Sequence, residues 1–196
     1  MADAHDTRPS LLEGVRDPGN HDAWERFAAF YQPVICRFAS LQGCTGAMCQ
    51  DVAQETLVDL IRIMPTFRYD RDRGRFRSYL YQIARRRVLQ AWRRQSRYVF
   101  LEPNDLAPHL PVHEDDGGTW DREWHRQVVL EALERLRECV AATSYEAFHA
   151  HMVQGEDVGS VCARLGLKPN AFYQIRHRLC ALLRRIVGTI ESEVEA

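Results

Sequence analysis

The sequence predicts an all-α protein: two helical domains joined by a flexible linker. Three observations lead there. Apolar residues recur three and four apart through most of the 196-residue chain, the period of helices with one buried face. No stretch shows the alternation of a half-buried strand, and no internal repeat is found. Between residues 100 and 119 the composition changes. Pro103, Pro108, Pro111, Gly117 and Gly118 break regular structure there, and Glu102, Asp105, Glu114, Asp115 and Asp116 keep the segment solvated. The length suits one large domain or two small ones. The expected division is therefore 1–99, a linker at 100–119, 120–188, and an acidic tail at 189–196.

In the first domain, PSLLEGVRD forms a short helix ended by Asp17-Pro18-Gly19. A second helix starts near His21, capped by Asn20 or Asp22. Its stripe is Trp24, Phe27, Ala28, Tyr31, Val34, Ile35 and Phe38. Pro33 lies inside this run and should kink the helix or break it near Gln32. After the loop at 41–46, a helix over 47–64 turns Ala53, Leu57, Leu60, Ile61 and Met64 inward. Asp51, Gln54, Glu55, Val58 and Arg62 fall on the other side, and Pro65 ends the helix. The loop PTFRYDRDRGR follows, with Gly74 as a turn residue. A long basic helix then spans 76–97, with Phe76, Leu80, Ile83, Ala84, Val88 and Ala91 inward.

The second domain opens with a helix over 120–140, with Val129, Ala132, Leu133, Leu136 and Val140 inward. A helix over 144–153 follows, stopped by Gly155. A short helix comes next, with Val158, Val161 and Leu165 inward, then a Gly166-Leu167 turn. The last helix has Pro169 in its first turn and buries Phe172, Ile175, Leu179, Leu182, Leu183 and Ile186. Small Cys162, Gly166 at the turn, and apolar Phe172 and Ile175 are what two tightly crossing helices need. The pair reads as a helix-turn-helix.

The net charge is −1, yet charge is strongly segregated. From Arg62 to Arg97 there are twelve arginines and two carboxylates, Asp70 and Asp72. Packing alone does not ask for that. Arginine pairs bidentately with phosphate and stacks on flat rings. Tyr79, Tyr81 and Trp92 lie among these arginines, which suits a nucleic-acid strand whose bases have left the stack. The alternative is a solvated charged face with its aromatics in the core. In the helix-turn-helix, Asn170, Ala171, Tyr173 and Gln174 stand where base edges are read, with His177 a turn further on. Lys168, Arg176 and Arg178 are placed for phosphates.

Enzyme readings find little support. His149 and His151 are two apart and diverge on a helix. Cys44 and Cys49 have no His pair nearby, and no Gly-rich phosphate loop is present. No catalytic residue, metal or cofactor is expected. Six cysteines without a CxxC, no secretory leader and no membrane-length apolar run suggest a cytoplasmic protein with reduced thiols.

The order DVAQETLVDL, FRYDRDRGRFRSYLYQIARRRV, a proline- and acid-rich linker and a C-terminal helix-turn-helix resembles the extracytoplasmic-function (group 4) sigma factors of the sigma-70 family. The likeness runs from about residue 9 to 188. It implies a non-enzymatic initiation factor whose partners are core RNA polymerase, through the β′ clamp and the β flap, promoter DNA and an inhibitory anti-sigma factor. By this resemblance Asp51, Gln54, Glu55, Val58 and Arg62 dock on the polymerase. Arg75, Arg77, Tyr79, Tyr81, Arg85, Arg86, Arg87, Trp92 and Arg93 hold the −10 element and its melted strand. Lys168, Asn170, Ala171, Tyr173, Gln174, His177 and Arg178, within the helix Pro169–Arg185, meet the −35 element. The chain departs from the family in having Tyr79 for a tryptophan, Arg86 for an asparagine, Lys168 for a serine and Cys162 for an alanine. The competing reading is an autonomous helix-turn-helix regulator, which would bind duplex DNA by itself.

Overall fold

A computed structural model describes residues 11–68, 75–99 and 117–195. Among these residues there are eight helices and no strand. The chain divides into two units, residues 1–127 with 193–196, and residues 128–192.

In the first unit, α1 (Leu11–Gly14) leads into α2 (His21–Leu41). Asn20 is the N-cap, its side chain accepting from the Ala23 amide at 3.2 Å. The stripe Phe27, Tyr31, Val34, Ile35 and Phe38 is buried as its spacing requires. Pro33 does not break the helix, which runs through it. The reason is its position. Pro33 and Ala29 both face outward, so the carbonyl that loses its partner to the proline ring is left to water.

Helix α3 (Gly46–Ile63) and helix α4 (Phe76–Val99) complete this core. Phe76 meets Phe27 and Tyr31 edge-on at 6.0 Å, a favourable ring geometry. Leu80, Ile83, Ala84 and Val88 follow it inward, while Ala91 is half-buried. The inward face of α3 is rotated from the expected one. Val52, Ala53, Thr56, Asp59 and Leu60 are buried, Leu57 is half-buried and Ile61 is exposed. Asp59 and Thr56 tolerate burial because both are satisfied: Thr56 Oγ1 donates to the Val52 carbonyl at 2.7 Å, and Asp59 accepts from arginines of α4. The turn expected at Gly74 lies outside the described residues.

Helix α5 (Gly118–Cys139) begins two residues before its expected start at 120, and its first turns belong to the first unit. Trp120 sits edge-on to Phe38 at 5.5 Å and tilted over Tyr81 at 6.0 Å. The rest of the linker expected at 100–119 lies outside the described residues.

The second unit holds the remainder of α5, then α6 (Ala142–Met152), α7 (Val158–Leu165) and most of α8 (Pro169–Glu195). Val128, Ala132 and Leu136 face its interior, and Val129, expected inward, is exposed. Those three buried positions fall four apart on one face, and Val129 is a quarter-turn off it. Helix α6 ends at Met152, three residues before Gly155. Phe172 is fully buried against Ala147, Ala150, Val161 and Cys162. The chain turns into α8 at Gly166, in the left-handed conformation at φ 64°, where a side chain would be strained. Residues 189–195 are not a separate tail but continue α8, with Ile190 and Val194 buried.

Two glycine substitutions should therefore have opposite signs. A Cβ at Gly166 or at Gly188 meets nothing within 4 Å, so only backbone preference decides. Gly166→Ala should cost about 1 kcal/mol at its left-handed position. Gly188→Ala, inside α8, should gain about 0.5–1 kcal/mol. Urea unfolding of the two variants checks both.

Candidate nucleic-acid interface

Helix α3 and helix α4 face each other with opposite charge. Asp51, Glu55 and Asp59 recur four apart along α3, and Arg87, Arg94 and Arg86 meet two of them from α4. Arg94 grips Glu55 with two bonds of 2.7 Å, Nη1 to Oε1 and Nη2 to Oε2. Arg87 donates to Glu55 at 3.2 Å and to both oxygens of Asp59, Nε at 2.8 Å among them. Arg86 donates to Asp59 at 3.0 Å. Arg94 holds the Glu55 carboxyl below the ordinary carboxylate range, with Arg87 adding to the effect. Burial pushes the Asp59 carboxyl up, and the bonds and charges of Arg87 and Arg86 outweigh it, so its pKa is also lowered.

The outward side of α3 is as the sequence suggests. Asp51, Gln54 and Arg62 are exposed, Glu55 is half-buried, and Val58 is 44% exposed. Ile61, 43% exposed beside Val58, adds an apolar residue that the sequence places inward. Asp51 and Arg62 carry no ion pair among the described residues.

On α4 the expected strand-binding residues separate into two groups. Four serve the fold. Tyr81 is 8% exposed, packed edge-on to Phe38 at 5.6 Å. Arg77 is buried with its guanidinium 4.6 Å from the centre of the Trp124 ring and its Nε 3.4 Å from Asp121 Oδ1. Arg87 is tied to α3. Trp92 is half-buried and donates Nε1 to the Gln42 carbonyl at 3.3 Å. The others look outward. Tyr79, Arg85, Arg86 and Arg93 line an open groove of about 610 Å³ with Ile63, Gln82, Ile83, Leu89 and Gln90. Tyr79 is stacked on Phe67 at 5.0 Å and 27°. Arg75 is exposed at the start of the helix. Arg75, Arg85 and Arg93 have no ion pair among the described residues. An aromatic wall, an apolar floor and uncompensated guanidinium groups are what an unstacked base and its phosphate require.

In the second unit, Asp157 caps α7, accepting from the Gly159 amide at 2.7 Å and the Ser160 amide at 3.2 Å. Arg164 pairs with Glu156 at 2.8 Å and with Glu146, so α7 is braced to α6 and to the loop between them. With Phe172 and Leu179 buried, the opposite face of α8 is fixed. Asn170, Tyr173, Gln174, His177 and Arg178 share that exposed stripe, Ala171 is half-buried, and Lys168 is exposed just before it. The Arg176 guanidinium lies 5.1 Å from the centre of the Tyr173 ring. Cys162, small and buried, fits the crossing of α7 and α8.

Asp59 and Arg94 received no role from the sequence, although Asp59 lies four residues beyond Glu55 on the same stripe. Three thiols, Cys36, Cys44 and Cys49, are held toward the unreactive protonated form. Burial, with a contribution from Cys49, pushes Cys44 up to about 11 and raises Cys36, and burial raises Cys49. Among the described residues no three His, Cys, Asp or Glu side chains come together as a metal site, and no helix is long and apolar enough to cross a membrane.

Residues 28–98 match the family model for Sigma-70 region 2. Over 185 residues the chain is 30% identical to the RNA polymerase sigma factor CarQ of Myxococcus xanthus, covering 93% of this chain and 99% of that protein.

The lowered carboxyls of Glu55 and Asp59 give stability a defined pH dependence. A group with a depressed folded pKa contributes above its unfolded pKa, near 4, and that contribution is lost as pH falls through the folded value. Stability should thus fall off below about pH 4–5. Asp59→Asn should cost roughly 2–3 kcal/mol at pH 7, by leaving Arg87 without its main partner, and should flatten the acid limb. Thermal unfolding of both proteins across pH 3–7 checks this.

Proposed function

Since the chain belongs to the extracytoplasmic-function group of the sigma-70 family of RNA polymerase sigma factors, we propose that its surfaces divide the work of promoter recognition as follows. The outward face of α3 docks on core polymerase at the β′ clamp. Asp51, Gln54 and Glu55 supply charge and hydrogen bonds, and Val58, Ile61 and Arg62 add apolar and peripheral contact. The α4 groove takes the opened −10 strand, with Tyr79 as the stacking surface and Arg75, Arg85, Arg86 and Arg93 along the backbone. Arg77, Tyr81, Arg87 and Trp92 support that helix from within. Because Tyr81 is covered by Trp120, it stacks on no base while that packing holds.

The second unit reads the −35 element. The first turns of α8 enter the major groove, with Asn170, Ala171, Tyr173, Gln174 and His177 at base edges and Lys168 and Arg178 at phosphates. The β flap is its polymerase contact. Such a factor works where polymerase and promoters are, in the cytoplasm, and an anti-sigma factor is the natural inhibitor of both surfaces. It recognises DNA and regulates initiation. The observation that carries this reading is the groove itself: Arg85 and Arg93, without ion pairs among the described residues, and Arg86 beside a stacked tyrosine on a helix matched by Sigma-70 region 2.

Transcription from genomic fragments, with core polymerase and with or without this protein, should yield new start sites only when it is present. A protein that instead footprints duplex DNA alone, at half-sites about one helical turn apart, is an autonomous dimeric regulator. Asp51→Lys should weaken association with core by roughly ten-fold at unchanged melting temperature, because Asp51 carries no ion pair within the described fold. Equal co-purification would count against α3 as the docking face. Arg85→Ala and Arg93→Ala should each flatten the salt dependence of opened-strand binding by about 0.7 in log–log slope.

A further inference from the structure

Glu55 stands in two places at once. It lies on the face assigned to polymerase docking, and it holds Arg94 by two 2.7 Å bonds. Arg94 follows Arg93, which lines the strand groove, and is one helical step of about 100° away from it. Its long side chain is 54% exposed. Nothing but Glu55 draws it toward α3 by hydrogen bond among the described residues, and the nearby Asp51 adds only longer-range attraction.

The ion pairs of α3 and α4 differ in how readily they part. Arg87 is anchored to Asp59, a carboxylate with only 10% of its side chain exposed, and separating that pair would leave a buried charge unmatched. Arg94 and Glu55 are 54% and 30% exposed, and a pair so wet contributes little and is readily exchanged. Docking on a basic surface offers Glu55 new partners, and Arg94 then has none on α3 except distant Asp51.

We propose that Glu55 restrains Arg94 in the free chain, and that docking of α3 on a basic partner surface takes Glu55 over and releases Arg94 as a further phosphate contact for the single strand held by α4. The two binding events are thereby linked. Polymerase raises the affinity for the opened strand through Arg94, and by reciprocity the strand tightens the grip on polymerase. Arg87 takes no part, because Asp59 keeps it. This inference rests on α3 as the docking face and the α4 groove as the strand site.

The test is fluorescence anisotropy of a labelled single-stranded −10 oligonucleotide, titrated from about 50 to 200 mM salt, against the full chain alone and against the holoenzyme. In the free chain Glu55→Gln should tighten binding and steepen the log–log salt slope by about 0.7, one phosphate contact on a single strand. The double variant Glu55→Gln/Arg94→Ala should return the slope to the wild-type value. In the holoenzyme, assembled at saturating core, Glu55→Gln should add nothing, and Arg94→Ala should lower the slope by about 0.7. A free-chain slope unmoved by Glu55→Gln, while Arg93→Ala still lowers it, overturns the proposal and spares the strand site. Slopes unmoved by Arg93→Ala in either setting overturn the strand site, and the proposal with it.

Discussion

The first unit depends on a match of charge between two neighbouring helices. Three carboxylates rise four apart along α3, and arginines of α4 pair with two of them, Glu55 and Asp59. The central contact is Arg87 on Asp59, both largely withdrawn from water. A buried charge is tolerated only with a partner and hydrogen bonds to spare, and here each supplies the other. That contact agrees with the rotation that burial of Phe76, Leu80, Ala84 and Val88 gives α4. Once Arg87 points at α3, Arg86 and Arg93 must point a quarter-turn away, and Tyr79 and Arg85 fall beside them along the groove. The groove thus lies where the buried face of α4 and its ion pairs to α3 leave it.

The excess of arginine in this region has two causes, and only one was legible in the sequence. Residue counts show that twelve arginines against two carboxylates exceed what packing needs. They do not show which arginines are spent inside the fold, because the compensating carboxylates come from α3 and from α5, distant along the chain. Arg77 is the clearest case. Its partners, Asp121 and Trp124, lie more than forty residues away beyond the linker. Tyr81 was misread for the same reason. Spacing puts it among arginines, and only the tertiary structure puts Phe38 and Trp120 over it. Helix positions and the inward stripes of α2 and α4 were plain, since each rests on local periodicity. The face of α3 was not, because hydrophobicity ranks Ile61 above Asp59 and cannot know that arginines await the acid.

The second unit was easier to read because its logic is local. Gly166 turns the chain, Phe172 fills the crossing between α7, α6 and α8, and everything on the opposite face of α8 is thereby outward. Among the described residues no long-range ion pair intervenes on that face. Tyr173, 47% exposed with Arg176 against its ring, is the one large hydrophobic side chain there.

Helix α5 starts inside the first unit, and this bears on how the protein is taken apart. A fragment cut at the proline-rich segment, where composition invites the knife, would lose Trp120 and Trp124. It would bare Phe38 and Tyr81 and strip Arg77 of its aromatic neighbour. Its recombinant behaviour would then report sticky, self-associating surface instead of native binding. An excised front half has to run to Gln127 to keep these side chains, and it still gives up Val194, whose carbonyl accepts from Tyr31 Oη at 3.0 Å within the same unit.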